Sequence, residues 1–330
     1  MQPNFITKLP RALGDTSLRA KYRQTPEDFK VNELLGFNPS GTGDHIYLHI
    51  EKRELNTQAV MMDLAHQMRL KPVDMGYAGR KDKYAVTRQW FSAHAPKSLG
   101  IDVGSIQGSK YKILDSSRHT HKLRTGQLIG NEFQIQLVDV EGSAELLKQR
   151  FESISKQGFP NYFGPQRFGR DGQNLSRGQS MLSGNLRVKD RNQRSMYLSA
   201  CRSFLFNEIL AERIRLNNWQ QAIEGDFFEA IELPTEAGVG VEEELLCGPM
   251  VGDGDSRVTG EALIIENRVM SEFPELVKGI ANSRVKWQRR PFKVMPLQTG
   301  YQENTDGLLL TFTLPKGCFA TSLLRELLMD

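Results

Sequence analysis

The chain reads Gly79-Arg80-Lys81-Asp82-Lys83-Tyr84-Ala85-Val86-Thr87-Arg88-Gln89 at the point that decides its fold. Just before this stretch, Tyr77 and Ala78 can end one strand, and the segment 87–93 is rich in the β-branched and aromatic residues of a second strand. We therefore predict that Asp82 lies on a polar loop between two strands. The arginines and lysines around Asp82 stabilise a carboxylate anion and attract phosphate.

The segment before this loop has the pattern of a strand followed by a helix. Apolar and polar residues alternate from Ile46 to Glu51, which predicts a half-buried strand. Apolar residues at helical spacing then run from Val60 to Met68, with Asn56 or Thr57 available as the N-cap and Pro72 just beyond the end. The first part of the chain is therefore predicted to be mixed α and β.

Later segments divide the chain into two kinds of structure. Alternation near Phe133 predicts a strand, and the segment 144–156 has a helical pattern. A Gly-, Pro- and aromatic-rich segment, 158–165, then precedes a long helical pattern at 192–216. A β-like segment at 308–314, a turn and a helix at 321–328 follow near the end. We interpret the middle of the chain as a helix-rich unit.

Length and composition indicate a globular protein with more than one core. The 330 residues are enough for about two domains or for one domain with a large insertion, and 39% of them are hydrophobic. The amino-terminal segment 1–14 lacks an apolar core behind a basic start, and no run of about 18 apolar residues occurs, which predicts a cytoplasmic protein without membrane spans. Three widely spaced cysteines argue against a disulfide framework and against a structural zinc site.

Two basic stretches are candidates for contact with nucleic acid. The net charge of +4 is small, but Arg284, Lys286, Arg289 and Arg290 fall close together and interleave with aromatic residues. A second basic stretch occupies residues 118–124. Composition alone favours the interpretation of both as solvated mixed surface, so the prediction that they contact phosphates requires other support.

The loop around Asp82 resembles the G-x-K-D-x-x-A-x-T-x-Q motif of the TruD family of pseudouridine synthases. Six positions match: Gly79, Lys81, Asp82, Ala85, Thr87 and Gln89. Further family segments are matched along the chain at 26–31 (P-E-D-F-x-V), 131–133 (N-x-F), 163–169 (F-G-x-Q-R-F-G) and 314–321 (L-P-x-G-x-x-A-T). The resemblance therefore extends from about residue 18 to the end of the sequence.

This resemblance implies a fold, an activity and a set of site residues. It implies an α+β catalytic domain with a mixed, mainly antiparallel sheet, formed by residues 1–156 and 305–330, and an inserted helix-rich α+β domain at 157–304. The implied activity is the isomerisation of a flipped-out uridine to pseudouridine at position 13 of tRNA, without a cofactor or metal. Asp82 is the implied catalytic nucleophile, and the implied substrate-binding residues are Phe29, Asn131, Phe319 and Lys81.

The chemistry is consistent with these residue types but leaves several routes open. Asp82 can attack the ribose C1′, add to uracil C6 or stabilise charge while the ribose eliminates to a glycal. Aromatic rings can restack a base that has left its helix, although core packing is the commoner role of a phenylalanine. We expect tRNA as the partner of a monomeric protein that needs no protein partner and no membrane.

Other functional classes fit parts of the sequence. A lone aspartate in a basic loop is more often an ion-pair partner than a nucleophile, and a non-catalytic RNA-binding protein needs only the basic stretches. A metal-dependent nuclease needs clustered carboxylates, for which Asp253 and Asp255 are the candidates. His119 and His121 lack a third ligand at a supporting spacing, so a metal site there is not predicted.

Overall fold

The computed structural model describes residues 8–234 and 240–329. The first seven residues lie outside the described residues, and they form half of the segment 1–14 for which we predicted no secretion signal. The strands of the described part are β1 Arg19–Lys21, β2 Phe29–Leu34, β3 His45–Arg53, β4 Met75–Tyr77, β5 Val86–His94, β6 Tyr111–His119, β7 Gly130–Glu141, β8 Phe159–Pro160, β9 Phe228–Pro234, β10 Gly240–Met250, β11 Gln288–Pro291, β12 Lys293–Val294, β13 Leu297–Asn304 and β14 Gly307–Pro315. The α-helices are α1 Thr57–Gln67, α2 Ala144–Gln157, α3 Pro165–Phe168, α4 Gln173–Leu182, α5 Arg191–Arg215, α6 Gly260–Ser271, α7 Pro274–Asn282 and α8 Ala320–Leu327.

A nine-stranded sheet is the centre of the molecule. Seven strands follow the order β13-β14-β7-β2-β5-β3-β6, while β1 pairs with β7 and β4 with β5. β2 runs parallel to β5, and the other recorded pairs of this sheet are antiparallel. The expected α+β fold with a mixed, mainly antiparallel sheet is confirmed.

The predicted strand and helix before the loop are β3 and α1. Ile46, Leu48 and Ile50 are buried in a cluster with apolar residues of α1, and the side chain of Asn56 caps α1 by accepting a 2.7 Å hydrogen bond from the Ala59 N–H. The other face of β3 is less exposed than a half-buried strand requires. Tyr47 is 1% exposed because Leu123, Leu128 and their neighbours cover it.

Segments from near both ends of the chain share one core. Leu18, close to β1, packs in the same cluster as Phe151 of α2 and Leu323 of α8, over the inner face of β2, β7 and β14. Burial of each such side chain contributes about 1.5–3 kcal/mol, which holds the two ends of the chain on the same sheet. Both α2 and α8 lie on the face of the sheet that also carries the predicted site.

The middle of the chain forms a second core around the long helix α5. Its partners include Phe163, Phe292 and residues of α6 and α7, and a three-stranded sheet with the order β11-β10-β9 completes this part. β13 pairs with β14 in the large sheet, which favours a return of the chain to the large-sheet part near Leu297 rather than at residue 305. The division at 157–304 stays a prediction. Among the described residues, no helix combines the length and apolar character needed to span a membrane.

Candidate active site

The predicted site residues lie together around one pocket, which we call the Asp82 pocket. Its volume is about 370 Å³, and its walls come from the loop after β4, the inner faces of β2 and β7, and the turn before α8. Each of the five predicted site residues lines it: Asp82, Lys81, Phe29, Asn131 and Phe319. The tertiary fold therefore brings together positions that are up to 290 residues apart in the sequence.

Asp82 presents its carboxylate to solvent and pairs with Arg23. The side chain of Asp82 is 54% exposed, and Oδ2 accepts from Arg23 Nη2 at 2.7 Å. The Arg23 guanidinium also lies 3.9 Å from the centre of the Phe29 ring. An ion pair with this exposure contributes only about 0–1 kcal/mol, so a ligand entering the pocket can displace it at small cost.

Arg23 was not among the predicted site residues. It lies three positions before the matched segment that starts at Pro26, and a basic residue next to a motif was the only available signal. The 2.7 Å contact with Asp82 depends on the path of the chain between β1 and β2, where Arg23 adopts a positive φ of 68°. Positive φ is uncommon for residues other than glycine, so an arginine in the sequence does not predict this conformation.

The backbone of Asp82 is held by a buried lysine. Lys52, at the end of β3, is fully buried, and its Nζ donates a 2.8 Å hydrogen bond to the Asp82 carbonyl oxygen. Burial lowers the pKa of Lys52 to about 8, against the smaller opposing effect of the nearby Asp82 carboxylate. Sequence reasoning missed Lys52, although it continues the inward alternation of Ile46, Leu48 and Ile50.

A short hydrogen-bond chain ties the loop to α1 and β5. The Lys81 N–H donates to Thr57 Oγ1 at 2.9 Å, and the Thr57 hydroxyl donates to Gln89 Oε1 at 2.8 Å. Gln89 Nε2 then donates to the Gly79 carbonyl at 3.2 Å. Thr57 and Gln89 are both buried, so the motif glutamine fixes the loop that carries Asp82 without entering the pocket.

The ammonium group of Lys81 is engaged inside the protein. Its Nζ lies 2.6 Å from Glu33 Oε2, and the two side chains are 6% and 0% exposed. Glu33 Oε1 also accepts from the Trp90 N–H at 3.1 Å. Removing one partner of a buried pair costs about 3–5 kcal/mol, so these contacts favour a structural role for Lys81. Its role as a substrate contact stays a prediction.

Asn131 carries an unused acceptor on the wall of the pocket. Its Oδ1 is buried and has no hydrogen-bond partner in residues 8–234 and 240–329. Leaving such an atom unpaired costs about 1–3 kcal/mol. The neighbouring Phe29 and Phe133 rings pack edge to face with centres 6.1 Å apart, and the Phe319 ring centre lies 6.0 Å from the Phe163 ring centre. The pocket thus combines aromatic walls with one exposed carboxylate, and an unpaired acceptor lies buried in its wall.

The basic stretch 284–290 contains exposed cations and cations that are engaged inside the protein. Arg284 and Lys286 are exposed, but Arg289 Nη1 lies 2.6 Å from Glu266 Oε1 and its side chain is 3% exposed. Arg290 donates to the Gly317 carbonyl at 3.0 Å and stacks on Phe163, with 4.0 Å from its guanidinium carbon to the ring centre. Arg289 is thus engaged by Glu266 and Arg290 by the Gly317 carbonyl and the Phe163 ring, and contact of these two arginines with phosphate stays a prediction.

The candidate residues of the alternative functions are not gathered at the Asp82 pocket. Asp253 lies 3.8 Å from Lys286, and neither Asp253 nor Asp255 lines the pocket. Within the described ranges, no group of three or more His, Cys, Asp or Glu side chains is arranged to hold a metal ion. Cys201, Cys247 and Cys318 are free thiols.

Comparison with known proteins identifies relatives along nearly the whole chain. A family profile described as "tRNA pseudouridine synthase D (TruD)" matches residues 12–189 and 172–327. The chain is 39% identical to a protein named tRNA pseudouridine synthase D from Methylococcus capsulatus, over 97% of this chain and 94% of the relative. A protein of the same name from Shewanella oneidensis is also 39% identical, over 98% of this chain and 89% of that relative.

A solved structure resembles the chain in fold. The crystal structure of the putative tRNA pseudouridine synthase D (TruD) from Methanosarcina mazei covers 99% of this chain with 98% of its own, at a TM-score of 0.73. The sequence identity to it is 21%, so this likeness concerns the fold.

Proposed function

The chain belongs to the TruD family of tRNA pseudouridine synthases, and from this premise we propose that it isomerises uridine to pseudouridine at position 13 of tRNA, with Asp82 as the nucleophile. The observation that carries the proposal is the Asp82 pocket, where one exposed carboxylate faces aromatic walls and an unpaired amide acceptor. The family name of the relatives supports the substrate class, and the geometry supports the choice of residues.

The pocket suits a uracil base that has left its helix. Uracil presents one N3–H donor between two carbonyls, and Asn131 Oδ1 offers the acceptor that this donor needs. Phe319 supplies an aromatic face, and base stacking on such a face contributes about 1–3 kcal/mol. Phe29 is only 2% exposed beneath Arg23, so the base meets the guanidinium of Arg23 before the ring of Phe29. We propose that Arg23 shares the substrate-binding role of Phe29.

The isomerisation fits a site built around one carboxylate. The bond from N1 to the ribose C1′ breaks, a bond from C5 to C1′ forms, the C5 proton leaves and N1 gains a proton. Substrate and product contain the same atoms at the same oxidation level, so the net reaction needs no electron donor or cofactor. Lys52 and the Thr57–Gln89 pair hold the loop so that Asp82 reaches the ribose or uracil C6 without rearrangement.

The proposal includes the setting in which the enzyme works. We propose that it acts as a monomer in the cytoplasm on folded tRNA, without a protein partner. In this proposal the inserted domain begins at residue 157 and ends near Leu297, where β13 joins the large sheet, and tRNA lies between the domain and that sheet.

Tritium release from tRNA labelled at uridine C5 tests the proposed reaction. The purified protein should release at most one equivalent per tRNA that carries uridine 13, and mapping of the modified base should place it at that position. Release should persist in excess chelator when the tRNA is folded beforehand. Shortened RNA products would instead indicate a nuclease, and RNA binding without tritium release would indicate a non-catalytic RNA-binding protein.

A further inference from the structure

A second cavity adjoins the Asp82 pocket and is larger than it. Its volume is about 590 Å³, within the range of about 300–1,000 Å³ that is typical of ligand sites. Its walls come from β9, β10 and β11 on one side and from the segments 293–295 and 315–318 on the other. Gly317 and Cys318 line both spaces, so the turn before α8 is the partition between them.

The lining of the second cavity is mainly cationic. Two carboxylates, Glu229 and Glu243, face six cationic side chains. The cations are Arg167, Arg257, Arg289, Arg290, Lys293 and Lys316. Lys316 lies 3.1 Å from Glu232, and Arg289 is paired with Glu266, which leaves the other four cations without a recorded carboxylate partner among the described residues. An excess of positive charge in a concave site attracts a polyanion and disfavours a cation.

Aromatic groups and unsatisfied donors give the second cavity a more specific character. Phe163 and Trp287 both line it. Among the lining residues, the buried polar atoms that lack a hydrogen-bond partner are all N–H donors, namely Trp287 Nε1, Arg167 Nε and two nitrogens of Arg289. The Arg289 guanidinium carbon lies 5.5 Å and 5.8 Å from the ring centres of Phe227 and Trp287, so its nitrogens lie near ring faces. The Arg167 guanidinium carbon likewise lies 5.0 Å from the Phe163 ring centre, so Trp287 Nε1 remains as the donor that needs an acceptor.

We propose that the second cavity binds the base of the nucleotide next to the target uridine in the same RNA strand. This inference rests on the proposed function. Single-stranded bases are recognised by stacking on aromatic and arginine planes and by hydrogen bonds to their edges, and this cavity supplies both. Because Gly317 and Cys318 line both spaces, the second cavity is the space that adjoins a base held against Asp82.

The position of Arg290 connects the two spaces. Its guanidinium lies over Phe163 in the second cavity and donates to the Gly317 carbonyl in the partition. The Phe163 ring also contacts Phe319, which lines the Asp82 pocket. A base that fills the second cavity therefore packs against the same group that holds the wall of the Asp82 pocket.

Equilibrium binding with single abasic nucleotides tests the proposal. The probes are intact tRNA and two tRNAs in which the nucleotide before or after uridine 13 is abasic, at one salt concentration. One of the two abasic tRNAs should bind the wild-type protein roughly 5- to 150-fold more weakly. Trp287→Ala should weaken binding of intact tRNA by a similar factor and should bind that abasic tRNA no more weakly than intact tRNA.

Matched variants separate base recognition from other effects. Trp287→Phe keeps a ring and removes the N–H, so it should retain part of the discrimination even if Trp287→Ala is poorly folded. Arg284→Ala, an exposed residue of the same stretch that does not line the cavity, should weaken all three tRNAs equally. Melting temperatures of all variants accompany the binding curves.

The outcomes that overturn the inference are specific. If Trp287→Ala weakens binding of both abasic tRNAs by the same factor as it weakens binding of intact tRNA, the cavity does not hold a flanking base. If the Trp287 variants weaken all three tRNAs equally and flatten the salt dependence, the contact is with phosphate alone. Failure of the proposed function has a different signature, because wild-type protein would then form no pseudouridine in intact tRNA whatever the binding data show.

Discussion

The Asp82 pocket and the second cavity share the turn at Gly317 and Cys318 but are built on different principles. In the Asp82 pocket one carboxylate is exposed, and hydrogen bonds from buried side chains fix the backbone of the loop that carries it. In the second cavity many cationic and aromatic groups contribute together, and no single one is placed to do chemistry. Replacements in the Asp82 pocket should therefore change the reaction rate far more than the affinity for tRNA. Replacements in the second cavity should change the affinity for tRNA, each by a smaller factor.

The largest effect is expected from Asp82→Asn. Loss of the proposed nucleophile should lower single-turnover pseudouridine formation by roughly a thousandfold or more. The affinity for tRNA should stay within about threefold and the melting temperature should not fall, since the exposed Asp82–Arg23 pair contributes only about 0–1 kcal/mol. A well-folded Asp82→Asn protein that still forms pseudouridine at a substantial rate would remove Asp82 from the mechanism.

The next largest effect is expected from Lys52→Met, which removes the hydrogen bond to the Asp82 carbonyl but fills the same buried space. A displaced loop should lower the rate by about 10- to 100-fold with little change in tRNA affinity. Because Met has a similar volume and no charge that must be buried, the variant should unfold at an equal or higher urea concentration. A slower reaction that merely parallels lost stability would show that Lys52 supports the fold and does not position Asp82.

The pH dependence of stability gives Lys52 a separate signature. Its pKa is about 8 in the folded protein, below the ordinary value of 10.5, so between these two pH values the unfolded chain binds more protons than the folded one. The contribution of Lys52 should therefore raise the free energy of unfolding as pH rises from about 8 towards 10.5. Urea unfolding of the wild type and Lys52→Met across this range should show the difference curve, and parallel curves would contradict the shifted pKa.

Asn131→Leu should raise the stability of the protein and lower its activity. Removing the unpaired Oδ1 should raise the free energy of unfolding by about 1–3 kcal/mol, since no buried acceptor is left without a partner. The same change should lower kcat/KM by about tenfold or more if Oδ1 accepts from uracil N3–H. A destabilised Asn131→Leu protein with unchanged kcat/KM would show that Oδ1 faces the protein and not the substrate.

The smallest effect is expected from the exposed part of the basic stretch. Joint replacement of Arg284 and Lys286 by Ala should weaken tRNA binding a few-fold and reduce the slope of log affinity against log salt by roughly 1–2. Single-turnover rates at saturating protein should not change. If affinity and slope are both unchanged, phosphate contacts lie elsewhere on the molecule.

Sequence reasoning succeeded where the information is local. The strand-helix-loop order around Asp82, the N-cap Asn56 and the terminal strand and helix all depend on short-range patterns, and β3, α1, β14 and α8 confirm them. The residues of the Asp82 pocket were identified together because each belongs to a motif with fixed spacing. Their grouping around one cavity depends on the sheet order β14-β7-β2-β5, which no local pattern contains.

The parts that sequence reasoning missed depend on long-range packing. Arg289 and Arg290 are adjacent in β11, and consecutive strand residues point to opposite faces, yet neither is a freely exposed cation because Glu266 of α6 pairs with one and the Gly317 carbonyl accepts from the other. The strands β9, β10 and β11 were not predicted, so neither was the cavity that they form. Lys52 is the exception, because its place in the alternation of β3 marked it as inward-facing.

The core that joins Leu18 to Leu323 has a consequence for synthesis on the ribosome. The loop with Asp82 leaves the ribosome before β14 and α8, so β7 lacks its neighbour β14 and the pocket lacks the Phe319 wall until the segment 307–327 has emerged. A nascent chain therefore carries the Asp82 carboxylate without a complete pocket until that segment has been made. The emergence of β14 and α8 sets the time at which the pocket is completed over a sheet whose other strands are already made.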